Sequence, residues 1–239
     1  MKKIIITLAF VALSSVSAKA IGLPNFEVFE VTAGLATNSG VFGASAKETG
    51  QDGAGVDRRV KKESGVFTDS YTSQFIELGI GQWITVGYEH TPDSLSTPTQ
   101  TSGESTGTET NVSVDFNDLN TTYLKLELPF LPNFYVKTGT VETDLDIKEV
   151  MGSGSTYKNV STSGTMMGAG YSRYIKDTGF GIRAEAAYME LDPVSTDNGV
   201  AKGTVNNANG GGVNNNRIDA SNLEGLSAKV AITYTFGKN

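Results

Sequence analysis

The sequence predicts an all-β protein, an eight-stranded, antiparallel, up-and-down β-barrel that crosses a membrane. Three observations lead to this prediction. Apolar residues recur at every second position, which is the period of a strand and not of a helix. The connections between the alternating segments are in turn short and long, and the first 20 residues have the form of a secretory leader.

The N-terminal residues 1–20 have the three parts of a signal peptide. Lys2 and Lys3 precede an apolar run from Ile4 to Leu13, and Ala18-Lys19-Ala20 supplies a small-residue cleavage site. An N-terminal membrane anchor is the alternative, but the run is about half of the ~20 residues that a spanning helix needs. We therefore expect residues 1–20 to be removed and residues 21–239 to form the barrel.

Composition narrows the possible functions. The chain has no cysteine, which excludes disulfides, thiol chemistry and thiolate metal sites. Its formal charge of −7 falls to about −10 once Lys2, Lys3 and Lys19 are removed. A protein this acidic is a poor candidate for nucleic-acid binding, which depends on neutralising phosphates. We expect no bound metal and no cofactor.

The alternation is clearest at the end of the chain. Leu226, Ala228, Val230, Ile232, Tyr234 and Phe236 lie at every second position, with polar or small residues between them. Such a pattern is typical of a half-buried antiparallel sheet. The eight predicted segments are approximately 26–47, 70–80, 82–91, 111–128, 133–147, 163–175, 179–191 and 218–237.

Short and long connections alternate strictly along the chain. The tight ones lie near Gly81, at Pro129–Asn133 and at Lys176–Gly179. The long polar ones are predicted at about 49–69, 92–110, 148–162 and 192–217. A soluble β-sandwich is the alternative fold, but it has no reason to lengthen every second connection. A transmembrane barrel has short periplasmic turns and four long extracellular loops when it has eight strands.

The alternation also assigns side chains to the two faces of the barrel. If the apolar residues face lipid, their neighbours face the lumen. The charged residues predicted to line the lumen are Glu30, Glu77, Glu89, Lys125, Glu127, Lys137, Arg173, Arg183, Glu185 and Lys229. The aromatic residues predicted to form belts at the two membrane boundaries are Trp83, Tyr88, Phe134, Tyr174, Phe180, Tyr188, Tyr234 and Phe236.

With its leader, its alternating loop lengths and its closing "KVAITYTF", the chain resembles the small eight-stranded outer-membrane β-barrels, the class of the OmpA transmembrane domain and OmpX. The resemblance covers nearly all of residues 21–239. It implies export to the outer membrane of a Gram-negative envelope, with lipid and lipopolysaccharide as surroundings. It also implies that the barrel-assembly machinery recognises the aromatic C-terminal strand.

A barrel of this kind is compatible with three alternative functions. The interior of an eight-stranded barrel is just wide enough for side chains to fill, so balanced charges there are expected to pair and plug it. We therefore predict a non-enzymatic barrel with a structural or surface-interaction role, whose surface ligand the sequence does not identify. A small porin-like channel for ions or solutes is the alternative, because ionisable groups at membrane depth are functional candidates. The third is a lipid-modifying enzyme using His90, the single histidine, but no nucleophile motif accompanies it.

Two charged segments are weaker candidates for binding. The basic run Asp57–Lys62, placed in the first long connection, has the residues to contact lipopolysaccharide phosphates, although nearby acids favour a solvated loop. The acidic run Glu142–Glu149 lies at the end of a predicted strand and offers carboxylates to a divalent cation. Its spacing is not that of a calcium loop, so whether it binds a cation stays open.

Overall fold

The computed structural model describes residues 29–51, 57–103, 109–150, 157–200 and 215–236. Within these ranges no helix is long and apolar enough to cross a membrane. Eight long strands are present: β1 (Phe29–Gln51), β2 (Asp57–Ile80), β3 (Ile84–Thr91), β6 (Glu109–Glu127), β7 (Phe134–Val150), β8 (Val160–Tyr174), β9 (Phe180–Leu191) and β11 (Asn216–Phe236). Three short strands lie in the long connections: β4 (Leu95–Ser96), β5 (Gln100–Gly103) and β10 (Val194–Asp197).

The eight long strands form a closed antiparallel ring. Each pairs with the next along the chain, and the last, β11, pairs with the first, β1. That closing register begins at Val31 opposite Phe236 and continues to Gly50 opposite Asn216. Ring closure leaves no open sheet edge at membrane depth, as hydrocarbon requires. The predicted fold class is confirmed.

Three tight connections join the strands at one end of the barrel. Their backbones enter the left-handed region at Gly81, Asn133, Asp177 and Gly179, with φ between 59° and 72°. Glycine and asparagine tolerate this conformation better than other residues, which explains their places in the turns. The long connections therefore emerge together at the opposite end.

The outer surface in the membrane region is apolar, as the alternation predicted. Exposed aliphatic side chains on this face include Leu35, Leu78, Ile80, Ile84, Val86, Leu124, Leu126, Val136, Ile182, Val230 and Ile232. In water such a surface would be unfavourable, whereas lipid tails solvate it.

The first long connection is predicted wrongly. Residues 49–51 and 57–69 are not loop: they belong to β1 and β2, which pair from Phe29–Ile80 up to Gln51–Asp57. The basic run Asp57–Lys62 therefore lies in a strand. Hydropathy does not identify this part of the strand, because many of its residues are Gly, Ser, Thr or Lys. Neither of its faces needs apolar side chains, since both lie outside the membrane band. Main-chain pairing with β1, and not burial of apolar side chains, holds these residues in a strand.

Among the described residues the strand register shifts at three places near the long-connection end, one of them at the very end of the β1–β2 pairing, between Gly50 and Gln51. The register shifts by one residue in β6 next to Asp118 (φ 50°), and in β11 next to Asn222 (φ 52°). A bulge exchanges the two faces of a strand beyond it. Phe116, beyond the first bulge, consequently packs inward against the same apolar cluster as Leu119.

The predicted aromatic residues lie towards the two ends of the barrel. Those at the turn end are largely on the outer surface, and several contact each other edge to face: Phe180–Tyr234 at 5.0 Å and Tyr234–Phe236 at 5.1 Å between ring centroids. Trp83, Phe134, Phe180 and Phe236 are 45, 45, 47 and 40 % exposed. Tyr174 is also 40 % exposed, but it pairs with Gly181 and lies on the inward face of β8, so its predicted place on the outer surface is wrong. Tyr88 and Tyr188 lie nearer the other end, where their hydroxyls donate to Asn120 (2.6 Å) and Glu224 (2.8 Å).

Trp83 is the single tryptophan, so its fluorescence reports on the turn end alone. In lipid vesicles we expect lipids brominated close to the headgroup to quench this emission more than lipids brominated near the chain terminus, because interfacial aromatic rings sit at headgroup depth. Stronger quenching by the deep label would contradict the placement of the membrane boundary at the tight turns.

Candidate functional site in the barrel lumen

Seven charged side chains fill the middle of the lumen and are called here the lumen charge network. Their inward direction follows from strand alternation, since each lies between two outward-facing residues. All are at most 8 % exposed. The members are Glu77, Glu89, Lys125, Lys137, Arg183, Glu185 and Lys229.

Glu77 is the centre of one half of the network. Arg183 donates to both of its carboxylate oxygens, at 2.7 Å and 2.8 Å, in the bidentate geometry that makes such pairs strong. Lys125 Nζ lies 3.2 Å from Oε2, and the hydroxyl of Tyr123 donates to Oε1 at 2.8 Å. β2, β6 and β9 are thereby joined across the lumen.

Two carboxylates and two lysines form the other half. Lys137 Nζ lies 3.1 Å from Glu89 and 3.0 Å from Glu185. Lys229 Nζ contacts the same two carboxylates at 2.6 Å and 3.1 Å. This closed square links β3, β7, β9 and β11, so that no member depends on a single partner.

Hydroxyl groups complete the coordination of these carboxylates. Ser73 donates to Glu89 at 2.7 Å, and Tyr135 donates to Glu185 at 2.8 Å. Asn38 in turn donates to Ser73 at 2.9 Å. Buried charge is tolerable only when paired and hydrogen-bonded, and each buried carboxylate here has both kinds of partner.

The network is electrically balanced when Glu127 is included. Glu127 lies on the same strand as Lys125, and their charged groups are 3.3 Å apart. Its side chain is 31 % exposed, so it closes the network towards the tight turns instead of lying inside it. Four cations then face four carboxylates.

Lys125 and Lys137 are direct cross-strand partners in β6 and β7. Like charges in this position are destabilising unless each has its own counter-charge. The structure separates them, because Lys125 contacts Glu77 while Lys137 contacts Glu89 and Glu185. Carboxylates from strands across the lumen therefore keep the two lysines apart, whereas Lys229 and Glu185 pair directly between the neighbouring strands β11 and β9.

Glycines on neighbouring strands make room for the aromatic rings inside the lumen. Tyr123 lies so close over Gly87 that a Cβ there would be 2.3 Å from the ring. Tyr135 covers Gly170 in the same way, also at 2.3 Å. The rings can lie flat against the wall only because these positions have no side chain, and this brings their hydroxyls to Glu77 and Glu185.

A second layer, missed by the sequence analysis, lies above the network towards the long connections. It is called here the upper apolar cluster, and its buried members are Phe42, Tyr71, Leu95, Leu119, Val141, Met166, Ala187, Leu191 and Leu223. Leu95 comes from β4 in the connection after β3 and covers the others from above. A cavity of about 30 Å³ lies among Phe42, Phe67, Leu95 and neighbouring side chains.

Of the other predicted lumen residues, Glu30 is partly buried at the turn end of β1, opposite Gly79. The placement of Arg173 in the lumen is wrong. Arg173 is exposed and pairs with Ile182, which is 51 % exposed on the lipid side. Three inward positions of β8 are glycine, namely Gly164, Gly168 and Gly170, so the apolar alternation of this strand is too weak to assign its faces.

The remaining candidates lie outside the lumen. His90 is half-buried at the outer rim, and its Nδ1 is 2.8 Å from Oδ1 of Asn120. Asp144 and Asp146 of the acidic run line an open concavity of about 540 Å³ on the outer surface, together with Asp118. Within the described ranges, no set of three or more His, Asp or Glu side chains is placed to hold a metal ion.

Replacing Glu77 by Gln should destabilise the barrel by ~3–5 kcal/mol, because Arg183 and Lys125 lose their buried counter-charge. Glu127→Gln is the matched control, since this partly exposed carboxylate should contribute at most ~1 kcal/mol. Urea unfolding from lipid vesicles gives both free energies. Equal losses for the two variants would contradict a network centred on Glu77.

Gly87→Ala should cost ~1–3 kcal/mol, because the new methyl group collides with the Tyr123 ring. Gly65→Ala is the control, since a Cβ there meets nothing within 4 Å. The same unfolding measurement compares them. If Gly87→Ala proves as mild as the control, the ring does not lie against this glycine.

The sequence matches no protein-family model, and no curated protein is detectably similar to it in sequence. Solved structures do resemble it. The outer membrane protein OprG of Pseudomonas aeruginosa is 14 % identical, with a TM-score of 0.51 over 85 % of this chain and 96 % of that one. AlkL, solved in lipid bilayers, is 14 % identical at a TM-score of 0.46, over 93 % of this chain and 95 % of that one.

The outer membrane protease OmpT of Escherichia coli is 11 % identical, with a TM-score of 0.42 over 90 % of this chain and 99 % of that one. The AlkL and OmpT likenesses are weaker than that to OprG and carry no conclusion about this chain. The likeness to OprG and the closed ring described above agree on architecture. The chain therefore has the fold of the small eight-stranded outer-membrane β-barrels.

Proposed function

We propose that the protein is a non-enzymatic outer-membrane barrel with a lumen plugged by side chains, whose role is structural or lies in surface interaction. It is exported by the signal peptide 1–20 into a Gram-negative outer membrane. Lipid and lipopolysaccharide surround it there. β11, which carries the aromatic end, is the strand that the barrel-assembly machinery recognises.

The observation that carries this proposal is the filling of the lumen at two successive levels. The lumen charge network links six strands with contacts of 2.6–3.2 Å. Above it, the upper apolar cluster leaves a cavity of about 30 Å³. A hydrated ion would have to break charge pairs at one level and enter an apolar layer at the other, and both steps are costly.

A small channel is the competing function. Two buried polar atoms of the lumen, Nε of Arg183 and Oδ1 of Asn38, have no hydrogen-bond partner among the described residues. Each offers a place for a single water molecule. A conducting path needs a continuous file of such places through both levels, and the upper apolar cluster interrupts it.

An enzyme built on His90 is the weakest candidate. The ring nitrogen of His90 contacts Asn120, a neutral amide that Tyr88 also contacts. A catalytic histidine is normally oriented by a carboxylate and hydrogen-bonded to its nucleophile. The contacts of His90 instead suit a rim side chain that holds β3 against β6.

In planar bilayers the refolded protein should give no steady conductance steps. The double variant Phe42→Ala, Leu119→Ala should also remain silent, because the charge network closes the lumen below the opened apolar layer. Single-channel recording tests both, with a known porin as the positive control for insertion. Regular steps from the unmodified protein would rule out the plug and favour the channel.

A further inference from the structure

Arg173 lies on the lipid-facing side of the barrel, close to the tight-turn end. It pairs with Ile182 of β9, which is 51 % exposed on the outer surface, and Tyr171, two residues away, shares its face. The ring of Tyr171 contacts Phe134 edge to face, with 5.1 Å between the centroids. A charged side chain is therefore surrounded by apolar and aromatic groups that contact lipid.

No carboxylate among the described residues neutralises this charge. The two other arginines whose side chains are described are both paired with acids, Arg183 with Glu77 and Arg217 with Asp219. Within the described ranges, Arg173 makes neither an ion pair nor a side-chain hydrogen bond. A guanidinium cannot be deprotonated in a protein, so its counter-charge has to come from the surroundings.

The height of Arg173 brings its charge to the headgroups of one leaflet. Ile175, two residues further along the chain, donates its N–H to the carbonyl oxygen of Phe180 at 2.7 Å, where the turn begins. Arg173 is ~7 Å from that bond along the strand, or ~5 Å in height at the usual tilt. The interfacial layer is ~5–8 Å thick, and an arginine stem can follow apolar surface to place its charge there.

The turn at Pro129–Asn133 adds apolar surface beside this cation. Phe130 is 75 % exposed, more than any other large apolar side chain among the described residues. The turn is joined to β8 next to Arg173, because Ser172 donates its N–H to the carbonyl oxygen of Asn133 at 2.8 Å. An exposed phenylalanine in a turn is unfavourable in water and favourable in the interfacial layer of a membrane.

The charges near Arg173 match one anion. Lys176 and Asp177, in the turn that follows, are exposed and make no ion pair within the described ranges. Two cations and one acid leave a net charge of +1. Glu30 and Glu127, the other described acids at this end of the barrel, occupy lumen-facing positions of their strands. A phosphodiester carries one negative charge and balances this excess.

We propose that Arg173 binds the phosphate of one phospholipid in the periplasmic leaflet. Its planar guanidinium donates two parallel hydrogen bonds to the phosphate oxygens, a geometry that lysine does not offer. The acyl chains lie along the apolar face at Ile182, and Phe130 packs at the level of the glycerol. The short turns of such barrels face the periplasm, which separates this site from lipopolysaccharide in the opposite leaflet.

The direct test is the proximity of arginine nitrogen to lipid phosphorus. Protein with isotopically labelled arginine is refolded into vesicles of phosphatidylglycerol and studied by solid-state NMR. We expect lipid phosphorus to dephase the guanidinium signal of Arg173, which is identified by its loss in Arg173→Lys. The signal of Arg183, buried in the lumen, should not be dephased and serves as the internal control.

Arg173→Gln tests the affinity, because it removes the charge and keeps a polar side chain. Native mass spectrometry should show about tenfold weaker retention of phosphatidylglycerol by this variant. Arg217→Gln is the matched control, since the Arg217 side chain is 41 % exposed but already paired with Asp219. Arg173 has no protein partner among the described residues, so Arg173→Gln should still fold, as heat-modifiable migration on a gel would show.

Three results would overturn the proposal: no dephasing at Arg173, equal retention of phosphatidylglycerol by Arg173→Gln, or equal retention of diacylglycerol, which has the chains without the phosphate. Displacement of phosphatidylglycerol by lipopolysaccharide at Arg173 would also overturn it, because the site would then belong to the other leaflet. Conductance steps in planar bilayers would contradict the plugged lumen and leave this site untouched, so the two proposals fail separately.

Discussion

The pairing of β1 with β11 is the contact on which the rest of the structure depends. Hydrocarbon offers no partner to a free N–H or C=O, so a sheet at membrane depth must close on itself. Closure with eight strands fixes a narrow bore, and a narrow bore must be filled. The lumen charge network and the upper apolar cluster are two ways of filling the same space at different heights.

The chemistry of the filling follows from where each layer lies. In the middle of the membrane, the apolar residues lie on the outer face, in contact with lipid. Because side chains alternate along a strand, the polar residues between them lie in the lumen. Those positions are stable because carboxylates such as Glu77 and Glu185 each have two or more charged or hydroxyl partners from other strands. Higher up, water meets the outer face, so apolar side chains such as Leu119 and Leu223 turn inward.

The strands continue well beyond the membrane on one side. β1 and β2 extend to Gln51 and Asp57, and β11 stays paired with β1 up to Asn216. At that end the described residues therefore continue the sheet beyond the membrane band.

Alternation in the sequence was enough to predict the strand number, the closure and the lumen positions of residues such as Lys137 and Arg183. It failed wherever alternation was absent or displaced. Because glycines interrupt the alternation in β8, the sequence did not show that Arg173 lies on the outer face. Beyond the bulges at Asp118 and Asn222, the residues of each strand exchange inner and outer faces. The upper apolar cluster joins residues from seven of the eight long strands and Leu95 of β4, so only the three-dimensional structure assembles it.

Closure can be measured directly because the chain has no cysteine. Ala36 and Ala231 are opposed across the β1–β11 junction and both are buried. We expect Ala36→Cys with Ala231→Cys to form a disulfide in the refolded protein, seen as a shift in gel mobility that reductant removes. Ala36→Cys with Thr233→Cys, displaced by two residues along β11, should not, because diagonal neighbours are ~7–8 Å apart. Failure of the first pair, or equal cross-linking of the second, would contradict a barrel closed in this register.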